Sequence, residues 1–154
     1  MPLSAEERRE IEAEFPRYPT KRAVCIDAMK IVQRHRGWIS DETLKDIAAL
    51  LKMTPHELDA VATFYNLIFR KPVGRHVMFV CNSISCWIAG SDDVIRETES
   101  RFALKLGETS ADGRLTVLPI VCLGLCDRAP AVMIDDDVYQ ARRETMSDIL
   151  QRYR

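Results

Sequence analysis

The sequence predicts an α+β fold, an N-terminal helical bundle followed by a small α/β domain, and three features carry that prediction. Apolar residues at helical spacing, with cap residues at their starts, fill the first half. A basic, turn-rich link, Arg70-Lys71-Pro72-Val73-Gly74, then interrupts them. Beyond it, short β-type runs alternate with helical stretches, so the expected domains are residues 1–72 and residues 73–154.

Ser4 and Glu7 stand in capping-box spacing ahead of a short helix that Pro16 and Pro19 close. Val24, Ala28, Ile31 and Val32 mark a second helix ended by Gly37, and Ser40 caps a third whose apolar side is Leu44, Ile47, Ala48 and Leu51. The sharpest start is Thr54-Pro55-His56-Glu57: Thr54 can cap, Pro55 suits the first turn, and Glu57 reaches back. After the link, His76 to Val80 reads as a buried strand. Val94, Ile95, Thr98, Phe102 and Leu106 then line a helix expected to end near Gly107. Asp112-Gly113 turns the chain into a second strand, Leu115 to Val121. Ala131 to Ile134 and Val138 to Gln140 suggest a hairpin around a solvated turn at Asp135 to Asp137, and a last helix is expected from Glu144 to Tyr153. This β-α-β-β-α order fits a small layered structure of thioredoxin-like type.

A chain of 154 residues that is 47% hydrophobic can bury a sizeable core. Its 22 basic and 23 acidic side chains nearly cancel, which removes the electrostatic reason to expect nucleic acid or an anionic membrane as a partner. No apolar run approaches the roughly 20 residues that span a bilayer, so no direct membrane insertion is expected. No leader pattern is apparent, and a cytoplasmic chain is expected, where paired cysteines more often bind metal than form structural disulfides.

Four residues separate Cys81 from Cys86 directly after the first strand, and three separate Cys122 from Cys126 directly after the second. If the two strands are parallel neighbours, the loops that follow them emerge at one sheet edge and the four sulfurs meet. A 2Fe-2S cluster takes two thiolates on each iron, so two cysteine pairs are its natural ligand set, one pair per iron. Gly124 would let the second loop bend tightly so that N–H groups point at sulfur, and Leu123 and Leu125 would limit water access. Spacing leaves alternatives open. A structural zinc site also takes four thiolates, although its knuckles usually have two residues between cysteines, and disulfides or unrelated buried cysteines remain.

Cys25 shares a helix face with Met29 and Val32 and reads as a small buried hydrophobe, not a ligand. His35, His56 and His76 stand far apart without ligand spacing. No acid, base or nucleophile constellation emerges, so no independent active site is predicted. Neither a Gly-x-Gly-x-x-Gly turn nor a Walker loop is present to cradle a nucleotide.

Several segments together resemble a known family: Arg36-Gly37-Trp38-Ile39, Val61-Ala62-Thr63-Phe64-Tyr65, Pro72 to His76, the pair Cys81 and Cys86, and Cys122-Leu123-Gly124-Leu125-Cys126-Asp127 with Ala129-Pro130. From about Ser4 onward the chain is similar to the thioredoxin-like 2Fe-2S subunits in the NADH dehydrogenase module of NADH:quinone oxidoreductase (respiratory complex I). The resemblance implies that Cys81, Cys86, Cys122 and Cys126 hold one 2Fe-2S cluster. It also implies that the helical part docks a flavin- and NADH-binding subunit, with FMN and NADH only on that partner. Other iron-sulfur subunits would join the same complex, which holds the chain peripheral to the inner membrane. The implied function is a one-electron carrier subunit, the cluster lying off the main path to quinone. Close relatives serve NAD-linked hydrogenases and formate dehydrogenases, and a zinc-stabilised interaction module or a thiol–disulfide enzyme are the rivals from other classes. Val61 to Tyr65 and Arg36 to Trp38 are read equally as core or as subunit interface, and Trp87 as shielding the cluster or packing.

Overall fold

The computed structural model describes residues 2–141 and 146–153. By its internal contacts the chain divides into two compact units, Met1–Pro72 and Val73–Arg154.

The first unit is helical: α1 (Ala5–Glu14), α2 (Cys25–Arg36), α3 (Asp41–Leu51) and α4 (Pro55–Phe64). Its starts follow local cap chemistry. Ser4 and Thr54 each form a complete capping box, with Glu7 and Glu57, and the Ser40 hydroxyl accepts from the Thr43 N–H. Gly37 closes α2 at φ 80°, a left-handed position that costs glycine nothing. Helix α1 packs on α2 and α3 on α4, while α2 also touches α3 and α4. Ile11, Met29, Val32, Ile39, Ile47, Leu51 and Leu58 meet in the core with no exposed surface. Burying such a side chain is worth about 1.5–3 kcal/mol, so these few hold the bundle. Arg70 ties the unit's end to its helices, bonding Asp59 at 2.8 Å, Asp41 at 2.6 Å and the Ile39 carbonyl.

The second unit is a four-stranded sheet of β1 (His76–Cys81), β2 (Leu115–Ile120), β3 (Ala131–Ile134) and β4 (Asp137–Gln140), in the order β2-β1-β3-β4. Strands β1 and β2 run parallel in the register His76 with Leu115 through Cys81 with Ile120, and the other pairings are antiparallel. A short helix, α5 (Ile84–Ile88), follows β1. Met78, Val80, Val94, Val117, Val132, Ile134 and Met146 form the core beneath helices α6 (Ser91–Phe102) and α7 (Met146–Gln151). The outer side of β2 is covered by the segment just before it. Gly107 N–H donates to Val117 O, Ser110 N–H donates to Leu115 O, and Thr109 bridges Thr116.

Three details depart from the sequence expectations, and one expectation falls partly outside the described residues. Helix α6 stops at Phe102 because Ala103 turns left-handed at φ 49°, so Leu106 and Gly107 lie beyond it. Helix α5 stands where a loop was expected. Asp137 opens β4, and Asp135, far from being a merely solvated turn residue, accepts from the Val77 N–H at 3.0 Å and pairs with His76 Nδ1 at 2.7 Å. The last helix is seen over Met146–Gln151, and its expected start at Glu144 and Thr145 lies outside the described residues.

Candidate metal centre

Two adjacent parallel strands deliver the two cysteine pairs. Cys81 is the last residue of β1, level with Ile120, and the Asn82 N–H still bonds the Ile120 carbonyl at 3.1 Å before the chains part. From that common edge β1 leads into α5, which carries Cys86, and β2 leads into the 121–125 loop and a short 3₁₀ turn, Cys126–Arg128. Cys86 is thus held on a helix and not in a loop. Cys81 Sγ donates to the Val121 carbonyl at 3.9 Å, and Cys81 and Cys86 pack in one cluster with Leu123 and Leu125 of the second cysteine loop. All four of these cysteines are free thiols, as is Cys25.

The pairs differ in their surroundings. Cys81 and Cys86 are each 2% exposed and pack with Ala131 beneath Ile120, Leu123, Leu125 and Ala129. Cys122 and Cys126 face solvent. Backbone N–H groups aim at sulfur: Gly124 donates to Cys122 Sγ at 3.3 Å and Ala131 to Cys86 Sγ at 3.4 Å. Gly124 sits at φ 72°, which lets its N–H fold back onto the sulfur two residues earlier. Burial pushes the Cys81 thiol up, but the N–H groups of Ser83 and Leu123 and the neighbouring thiols outweigh it and its pKa falls. For Cys86, burial together with the charge of Cys81 and Cys126 raises the pKa against the Ala131 N–H.

Such a donor set fits a group that is anionic and thiolate-bound, because N–H bonds to sulfur stabilise negative charge in a dry setting. Among the described residues no three His, Cys, Asp or Glu side chains converge on a point that could hold one metal ion. Two cysteine-bearing segments that leave one end of a parallel strand pair carry two thiols each, the number that each iron of a binuclear cluster would ask for.

Other singled-out residues separate cleanly. Cys25 packs half-buried against the core of the helical unit. Trp87 is 56% exposed and donates from Nε1 to Asp92. In Val61 to Tyr65 only Ala62 is fully in the core, whereas Phe64 is 76% exposed. Arg36 bonds Glu7 and Thr43, and Ile39 is buried. The pairing of Asp135 with His76 was missed by sequence reasoning, since nothing local marks a partner 59 residues away.

A family described as thioredoxin-like [2Fe-2S] ferredoxin matches residues 11–154. The E subunit of the NADH-quinone oxidoreductase of Pseudomonas aeruginosa is 45% identical over 152 residues, covering 98% of this chain and 92% of that protein. Its counterpart of the same name from Escherichia coli K12 is 44% identical over 153 residues, covering 99% and 92%. Among solved structures, an NAD+-reducing [NiFe]-hydrogenase in its air-oxidised state superposes with a TM-score of 0.66 at 22% identity over 86% of this chain. This chain spans only 22% of that hydrogenase chain, and the likeness is one of fold.

Proposed function

We propose that this chain, which belongs to the thioredoxin-like [2Fe-2S] ferredoxin family, is the one-electron carrier subunit of an NADH:quinone oxidoreductase, with its cluster on Cys81, Cys86, Cys122 and Cys126. The observation that carries the ligand set is the pairing of Cys81 with Ile120 across parallel strands, which sends both cysteine-bearing segments out at one edge. When bound, the cluster supplies a reversible one-electron site. The protein's part is to hold four thiolates, to aim the Gly124 and Ala131 N–H groups at two of them, and to keep water from Cys81 and Cys86 with Leu123, Leu125 and Ala129.

Relatives at 44–45% identity along nearly the whole chain favour the quinone oxidoreductase over a hydrogenase or formate dehydrogenase assignment. In this reading electrons come from FMN on a flavin- and NADH-binding partner, and further iron-sulfur subunits complete the complex. The helical unit serves as the docking part. Phe64, Tyr65 and Leu67, which stay 76%, 44% and 43% exposed, are its candidate contacts. No helix among the described residues is long and apolar enough to cross a membrane; in this reading the chain is held peripherally, on the cytoplasmic side, by its partner subunits.

The test is visible absorption, iron and zinc content, and electron paramagnetic resonance of the chain purified without oxygen, before and after reduction. Iron with a signal appearing on reduction is expected. A colourless sample containing zinc would overturn the reading.

A further inference from the structure

The two cysteine pairs differ in access as well as in setting, and this bears on how a cluster gets in. Cys81 and Cys86 are each 2% exposed, under Leu123, Leu125, Ile120 and Ala129. Cys122 and Cys126 are exposed, on a segment whose only regular structure is a three-residue 3₁₀ turn and whose bend rests on left-handed Gly124. A preformed cluster carried by another molecule cannot reach a buried thiol until some covering residue moves, whereas an exposed thiol meets it at first encounter.

We infer that the cluster is loaded in a fixed order: Cys122 and Cys126 capture it from a donor that holds a [2Fe-2S] unit on exchangeable thiolates, and Cys81 and Cys86 close over it afterwards. This rests on the ligand set proposed above. The chemistry is ligand exchange. An iron–sulfur bond forms to Cys122 or Cys126 as the bond from that iron to a donor thiolate breaks, and the proton of the incoming thiol leaves with the donor thiol. Both irons keep their oxidation state and both sulfides move unchanged. The inner step is then intramolecular: an iron–sulfur bond forms to Cys81 and to Cys86 as each remaining donor thiolate leaves, taking the proton of the incoming thiol. Cys81 and Cys86 share one packed cluster with Leu123 and Leu125, the residues that stand between Cys122 and Cys126 in the chain, so the inner thiols adjoin the loop that captures first. The Ala131 N–H waits on Cys86 Sγ at 3.4 Å, a partner for the last sulfur to bind.

The full-length apo chain mixed with a [2Fe-2S] cluster ligated by glutathione, followed by stopped-flow visible circular dichroism, tests this. A first phase whose rate rises with donor concentration and a later phase independent of it are expected. Cys122→Ser and Cys126→Ser are expected to slow the first phase about tenfold or more, since a hydroxyl is a far weaker incoming ligand than a thiolate. Cys81→Ser and Cys86→Ser are expected to leave it within about twofold and to abolish or alter the later phase. Equal slowing by Cys81→Ser or Cys86→Ser overturns the order.

Because a serine in the interior can disturb folding, brief iodoacetamide labelling of the wild-type apo chain with peptide mapping gives a second reading. Cys122 and Cys126 are expected to label well before Cys81 and Cys86, and simultaneous labelling of all four overturns the inference. A wild-type chain that takes up no cluster at all overturns the ligand set itself, a different failure from a wrong order.

Discussion

Arg36 grips Glu7 with two parallel bonds, Nε to Oε1 and Nη2 to Oε2, each 2.5 Å long, at a carboxylate left only 3% exposed. Glu7 is also the reciprocal partner of the Ser4 cap, so one side chain starts α1 correctly and fastens it to the end of α2. Hydrogen bonding from Arg36 dominates over burial and brings its pKa from 4.5 down to about 2. A depressed carboxylate stabilises the fold above its unfolded pKa and loses that contribution as pH falls through the folded one. The expected window of loss is therefore from about pH 4.5 to about pH 2. At pH 7, Glu7→Gln is expected to cost the helical unit about 2–3 kcal/mol in urea denaturation. The gap to wild type is expected to narrow as pH drops through that window.

Gly74 precedes β1 where the backbones of both parallel strands come close. A Cβ there would stand 2.9 Å from Arg114 C and Leu115 N, atoms that cannot swing aside, and Gly74 N–H bonds Thr116 Oγ1 at 2.6 Å. Gly74→Ala is expected to destabilise the second unit by about 1–3 kcal/mol, read by thermal unfolding.

At the opposite end of β1 from the cysteines, Asp135 spans His76 Nδ1 and the Val77 N–H while its own backbone is left-handed at φ 53°. Asp135→Ala removes two bonds and adds backbone strain, for an expected cost of about 2 kcal/mol, whereas Asp135→Asn keeps an acceptor and tolerates the backbone, for about half that. Chemical denaturation of the two variants side by side checks the ratio. Cluster content is expected to stay unchanged in Asp135→Asn.

Replacing Cys81, Cys86, Cys122 or Cys126 singly by Ala is expected to abolish or badly weaken the paramagnetic resonance signal and lower bound iron. Cys25→Ala is expected to leave both intact, because Cys25 packs in the other unit among helical core residues. Loss of the signal in the Cys25 variant would show the ligand set to be wrong.

What could be read in advance was what local chemistry decides. The caps at Ser4, Ser40 and Thr54 announce α1, α3 and α4 because a hydroxyl and an N–H three residues apart need no distant help. The cysteine pairs were legible as pairs at strand ends, and the parallel pairing of β1 with β2 supplies the condition under which they meet. Helix α5 was not legible, since five residues hold little more than one turn and show no period. The end of α6 was masked by Gly107, a plausible stop signal, while the real stop falls on Ala103, whose left-handed turn no composition rule foretells. The unequal burial of the two thiol pairs depends on Leu123, Leu125 and Ala129 folding over one pair only, a matter of tertiary packing.

The segment that lies along the outer side of β2 has a bearing on the chain's life outside any assembly. An open strand edge invites a second copy to add its own strand, and growth of that kind ends in aggregates. Here the first half of the six-residue strand that would be the longer exposed edge, Leu115 to Val117, is occupied by the chain itself, through Gly107, Thr109 and Ser110. At the other end of the sheet β4 is four residues long and begins beside Asp135 and Asp136, where two identical edges would bring like charges together. Both ends of the sheet thus carry features that disfavour the addition of a second copy's strand.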